Sequence, residues 1–149
     1  MKKLMIKTMT ILLMGSGVQA MADGGHADHN KDQPPVVKNY LHLQTKLASD
    51  KAIEKTEVKE FKNNAMLTKS PELISAVSAL EKESDIDKQR EAFKKVSTLM
   101  IAYAKKEKLK GLYHANCPMA SADWLQSSAE VKNPYYGSKM LKCGSTKEI

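Results

Sequence analysis

The residues best able to do chemistry are concentrated in two short blocks near the end of the chain, His114-Ala115-Asn116-Cys117-Pro118-Met119 and Met140-Leu141-Lys142-Cys143. They hold both cysteines of the 149-residue sequence, and Met119 and Met140 each lie within three residues of a cysteine. Thiolate and thioether sulfurs are soft donors, matched to Cu(I) and related ions. Two thiolates with one or two thioethers can hold that ion, and His114 can add an imidazole. For Zn(II) the same residues offer Cys117, Cys143 and His114 and leave a fourth position open or filled from elsewhere. Methionine does not help zinc, so the donor set favours copper(I), with zinc as the other ion to consider.

A disulfide competes with both metals. Two cysteines in an exported protein usually oxidise to each other, and a Cys117–Cys143 bridge would close a loop of roughly 25 residues, for which chain entropy gives ~3–4 kcal/mol. Copper and bridge can alternate in time, because a bound ion protects thiolates that would otherwise pair. Folding could also make the two cysteines a redox pair, although no Cys-x-x-Cys motif is present. A second histidine group, His26 and His29, stands in Gly24-Gly25-His26-Ala27-Asp28-His29. An amino-terminal copper(II) site needs histidine third in the mature chain, and cleavage after Ala22 would put His26 fourth, leaving only loose capture of metal.

Export is expected from the start of the chain. Lys2, Lys3 and Lys7 form a positive region, an apolar run covers Met9 to Met14, and Ala20 and Ala22 give an A-x-A cleavage site. The run is far short of the ~20 residues a membrane span needs. Residues 1–22 therefore read as a signal peptide and the mature protein as periplasmic or otherwise exported, with no membrane span. Removing them takes three lysines and no acid, so the formal charge drops from +7 to +4. What remains basic is almost all lysine interleaved with glutamate, the pattern of a solvated helix face. Arg90 is the only arginine, and a nucleic-acid reader would cluster arginine and aromatics on one surface. Nucleic acid is not an expected partner. With no Ser-His-Asp arrangement, phosphate-binding glycine loop or paired carboxylates, the chain does not read as an enzyme.

Positioning the sulfurs falls to the elements before them. Residues 23–35 hold little to bury and read as a disordered leader. From Val36 to Lys110 there is no glycine, and apolar residues recur at three- and four-residue steps, so residues 36–110 are predicted to be helical. The stripes are Val36, Tyr40, Leu43 and Leu47; Ile53, Val58, Phe61 and Ala65; Leu73, Ile74, Val77 and Leu80; and Phe93, Val96, Leu99, Met100 and Tyr103. Ser49 and Asp50 are candidate caps for the second helix, Ser70-Pro71 starts the third, and Ser84 with Asp87 resembles a capping box for the fourth. The predicted class is all-α, an up-and-down four-helix bundle. Residues 111–149 are an irregular segment docked on it, in one domain spanning 36–149. Asp123-Trp124-Leu125 reads as a short helical turn, Asn133 to Gly137 as a turn, and Trp124, Tyr135 and Tyr136 as apolar anchors.

The final segment also carries four ordered blocks: Tyr113 to Ala120 with its Cys-Pro-Met-Ala, then Ala122 to Leu125, Asn133-Pro134-Tyr135-Tyr136-Gly137, and Lys139 to Gly144. Together with the helical part from Val37, they resemble a bacterial domain family of formally unknown function. That family occurs as short exported proteins and as the C-terminal extension of periplasmic adaptors of copper- and silver-type efflux pumps. The resemblance implies a periplasmic helical domain in copper or heavy-metal handling, with Cys117, Met119, Met140 and Cys143 matching the family's sulfur positions. It also implies an efflux adaptor or other periplasmic metal-handling protein as partner. Ala120 departs from heavy-metal motifs that place histidine after Met119.

Overall fold

The computed structural model describes residues 32–149; the expected signal peptide, most of the expected leader, His26 and His29 lie outside the described residues. Four helices come first: α1 (Pro35–Ala48), α2 (Lys55–Met66), α3 (Pro71–Lys82) and α4 (Ile86–Lys106). Their apolar stripes meet in one core, with Tyr40, Phe61, Phe93, Leu80 and Met100 fully buried. Consecutive helices pack together and α4 returns to α1, which makes the helical part a bundle. Tyr40 stacks on Phe93 with ring centroids 5.0 Å apart, in the preferred range for aromatic pairs.

Local chemistry sets the helix starts. Ser70 Oγ accepts the amide of Leu73 ahead of Pro71, as its position predicts. The fourth helix is capped by Asp85, one residue later than Ser84, and its carboxylate accepts the amides of Asp87 and Lys88. The second helix is not capped by Ser49 or Asp50. Residues 51–54 continue extended, Glu54 takes the cap position, and the Glu57 carboxylate accepts its amide at 2.8 Å. Buried Gln89 holds that extended stretch by exchanging two hydrogen bonds with the backbone of Ile53.

The all-α expectation is corrected in the final segment. It forms β1 (Tyr113–Cys117), β2 (Ala122–Gln126) and β3 (Ser145–Glu148), an antiparallel sheet in the order β2-β1-β3. Short 3-10 turns lie at Pro118–Ala120 and Gly137–Met140. Trp124 is therefore in a strand, opposite Ala115, and not in a helical turn. The sequences YHANC, ADWLQ and STKE are short and poor in β-branched residues. They have little strand propensity of their own, and pairing with one another and packing on the helices impose the conformation.

Polar side chains buried in the bundle dock this segment. Arg90 donates to the carbonyls of Pro134 and Leu47 and pairs with Asp50 at 2.6 Å. Asp50 in turn accepts the amide of Ser138. Gly137, with φ of +54°, lies so close that a Cβ there would collide with the Asp50 carboxylate and the Arg90 guanidinium. Gln44 donates to the Lys132 carbonyl, Gln33 donates to that of Lys110, and Tyr40 Oη accepts the amide of Leu125. Gln33 is itself buried, so the chain is docked before the helix that was expected to begin its order.

Arg90→Met leaves two buried carbonyls without a donor and breaks the ion pairs with Asp50 and Asp87, so it is expected to lower the urea-unfolding free energy by about 3 kcal/mol. A loss too small to resolve would mean that Arg90 does not hold the segment. The hydroxyl and amide of Ser138, and then Arg90, keep the Asp50 carboxyl well below the usual carboxylate range. Because the unfolded chain binds that proton more tightly, the contribution is present at neutral pH and is lost as pH falls below about 4. Thermal melts should find Asp50→Asn less stable than the parent at pH 7 and less sensitive to further acid.

Candidate functional site

Strand alternation decides which residues can reach Cys117. Successive side chains point to opposite faces, so Tyr113, Ala115 and Cys117 share one face of β1 and His114 and Asn116 the other. Pro118 ends the strand and opens the 3-10 turn. Ser121, at φ of +47°, reverses the chain into β2. Cys117 is fully buried. From the other end of the segment, a turn in which the Cys143 amide donates to the Met140 carbonyl brings Cys143 over it. Gly144, at φ of +132°, follows, and a Cβ there would strike the Asn116 carbonyl. The two Sγ atoms lie 2.8 Å apart, both as free thiols.

The thiols are not equivalent. Burial alone would raise the Cys117 pKa, but hydrogen bonds from the Cys143 thiol, from the amides of Ala120 and Met119 and from the Asn133 side chain outweigh it and lower it. Cys143 is raised, first by donating to Cys117 and then by burial and the charge on Cys117. Of the two, Cys117 is therefore the one that ionises first, with the Cys143 thiol donating to it. The more readily ionised sulfur is the better nucleophile and metal ligand.

Asn133 organises the pair and was not singled out in the sequence. It is fully buried, and its Nδ2 donates to the Cys143 carbonyl at 3.1 Å. Its Oδ1 accepts the amide of Tyr135 at 2.8 Å. Its backbone bonds to Leu141 and Gly137. The only signal was its place before proline in a turn, which did not reveal that the side chain would face the sulfurs. The anchors are as expected: Trp124 and Tyr135 are buried edge to face, 5.8 Å between centroids. Tyr136 reaches across to donate to the Met119 carbonyl.

The remaining candidates are placed differently. Met119 is 66% exposed, beside the pair in sequence with its side chain facing solvent. Met140 is half-buried in the turn that carries Cys143. His114 does not join the sulfurs. On the opposite face, its Nε2 bonds to Asp123 Oδ1 at 3.0 Å, an oxygen that also accepts from Asn116. Among the described residues no group of three or more His, Cys, Asp or Glu side chains could hold a metal ion. The closed four-ligand arrangement of structural zinc is therefore not formed by these residue types. Two thiols with methionines nearby suit a soft ion of low coordination number.

The molecule is thus a helical bundle whose C-terminal sheet carries a paired dithiol. Residues 44–111 match the family described as "Protein of unknown function (DUF3347)", so a DUF3347 domain lies there. The match runs from within α1 through α4 and ends before β1, leaving the sulfur-bearing blocks beyond it. No curated protein and no solved structure matches the chain.

Replacing Asn133 with alanine leaves the Cys143 carbonyl unpaired and is expected to cost about 1–3 kcal/mol. It should also move the thiolate absorbance titration near 240 nm to higher pH. An unchanged titration would mean that Asn133 does not act on Cys117.

Proposed function

We propose that this is an exported soft-metal-binding protein that takes up Cu(I) at Cys117 and Cys143, in copper or heavy-metal sequestration, delivery or efflux. The observation that carries the reading is the meeting of the only two cysteines, from opposite ends of the final segment, in one dithiol. Hydrogen bonds from the Cys143 thiol and from the amides of Ala120 and Met119 lower the pKa of Cys117 and favour its ionisation. The exposed thioether of Met119 stands next to this pair in the chain, where an incoming ion or a donor protein would meet it first. Met140 is the further thioether on the Cys143 side. His114 is left out of the ligand set because Asp123 engages it on the other face of the sheet. The partner that fits is a heavy-metal efflux adaptor or another periplasmic metal-handling protein, passing the ion from sulfur to sulfur.

The bound ion supplies no reaction; it is cargo. With metal–sulfur bonds of about 2.3 Å, two sulfurs sharing an ion stand at least ~1 Å farther apart than the free pair. Binding therefore moves the Cys143 arm, since Cys117 is fixed in the sheet. The same closeness, 2.8 Å, favours a second reading in which the two sulfurs oxidise to a staple of the segment and the protein acts as a metal-free adaptor.

Anaerobic titration of the reduced protein is expected to give about one equivalent of tightly bound Cu(I), the capacity of one soft-ligand set. Cys117→Ser and Cys143→Ser should each abolish it, Met119→Leu should weaken it, and His114→Ala should leave it unchanged. Intact mass of protein taken directly from the exported fraction separates the two readings: bound copper favours the first, a two-proton deficit the second. Parent-like copper binding by both serine variants would end the metal reading.

A further inference from the structure

A separate cavity lies on the face of β1 opposite Cys117, where the end of α4 and the linker after it meet β3. Its volume is about 450 Å³. The interior is apolar: Ala104 is fully buried, and Leu109 and Ile149 pack against the core. The lining also includes the exposed Lys105, Lys108, Lys110 and Lys147, the imidazole of His114, and Glu148 as its only acidic side chain. The ion pairs among the described residues occupy Lys46, Lys62, Lys94, Lys142 and Arg90 and none of these four lysines.

The end of α4 is capped by its own backbone. The carbonyls of Tyr103, Ala104 and Lys105 already accept the amides of Glu107, Leu109 and Lys108. Lys108 itself has φ of +52°, at a helix end where glycine is the usual residue. A cationic side chain is thus kept beside the opening at some backbone cost. An apolar chamber of this size, with a few converging charges of one sign, is the form of a small-ligand site. Four lysines against the single acidic side chain of Glu148 leave the lining net positive, which selects a negative head, and the interior selects a hydrocarbon tail.

We propose that this cavity binds a free amphipathic carboxylate of medium chain length, head among the lysines and tail against Ala104, Leu109 and Ile149. The site is independent of the dithiol and of the copper reading.

The test uses full-length protein and monomeric hexanoate, octanoate and decanoate, followed by calorimetry and ¹H–¹⁵N NMR. Affinity is expected to rise by up to ~4-fold per added methylene, the factor set by burying each one. The largest shifts should fall on Ala104, Leu109, Lys147 and Ile149. Decanol and decyltrimethylammonium should bind at least tenfold more weakly than decanoate. Lys108→Glu with Lys147→Glu should cost at least tenfold, and Lys108→Gln with Lys147→Gln an intermediate amount, with far-UV circular dichroism unchanged in both. The proposal is overturned by absent or unsaturable binding, by equal affinity for decanol, by shifts centred elsewhere, or by folded charge variants that bind like the parent.

Discussion

The arginine at position 90 is buried where the end of α1, the start of α4 and the 133–138 turn converge, and its guanidinium serves all three. A buried cation is tolerated only with a full set of partners. Here the partners come from the bundle, as Leu47 and Asp50, and from the segment, as Pro134. The bundle therefore completes its own polar interior only when the segment is in place, and Asp50 extends the same contact to the Ser138 amide. Tyr40 and Gln44 repeat the arrangement at two further points on the backbone of the final segment, and Gln33 holds the Lys110 carbonyl just before it. Docking by backbone recognition, together with the buried Trp124, Leu125 and Tyr135, fixes the path of the chain.

That path produces the dithiol. Cys117 is set by sheet register and cannot move without β1. Cys143 is set by the turn from Gly137 to Met140, which the Asp50–Arg90 contact holds against the bundle at Gly137 and Ser138. Asn133 ties the two, donating to the Cys143 backbone while its side chain also supports the Cys117 sulfur. The result is a buried sulfur whose ionisation is favoured by amides, under a more exposed thiol.

The helices were legible because their information is local: apolar spacing, Ser70-Pro71 and the absence of glycine each act over a few residues. The errors at the helix starts are local too. Glu54 and Asp85 displaced the expected caps because neighbouring carboxylates competed for the same amides, and Asp50 was taken up by a contact 40 residues away in Arg90. The strands were missed because in five residues such as Tyr113 to Cys117 only the tyrosine favours an extended chain, too little to stand out. His114 looked like a ligand because sequence distance from Cys117 says nothing about the face on which a side chain emerges.

The sequence by itself determined the four helices, the faces they bury, the special character of the last 39 residues, and the residue types able to bind a soft ion. Only the tertiary structure decided which of those residues meet. It put Cys117 against Cys143, turned His114 to Asp123, and introduced Asn133 and Arg90, whose roles lie entirely in distant partners. The physical reason is that donor identity is a property of single residues, whereas convergence depends on strand pairing and on buried polar groups finding partners across the fold. Those pairings join residues tens of positions apart, and no local pattern encodes them.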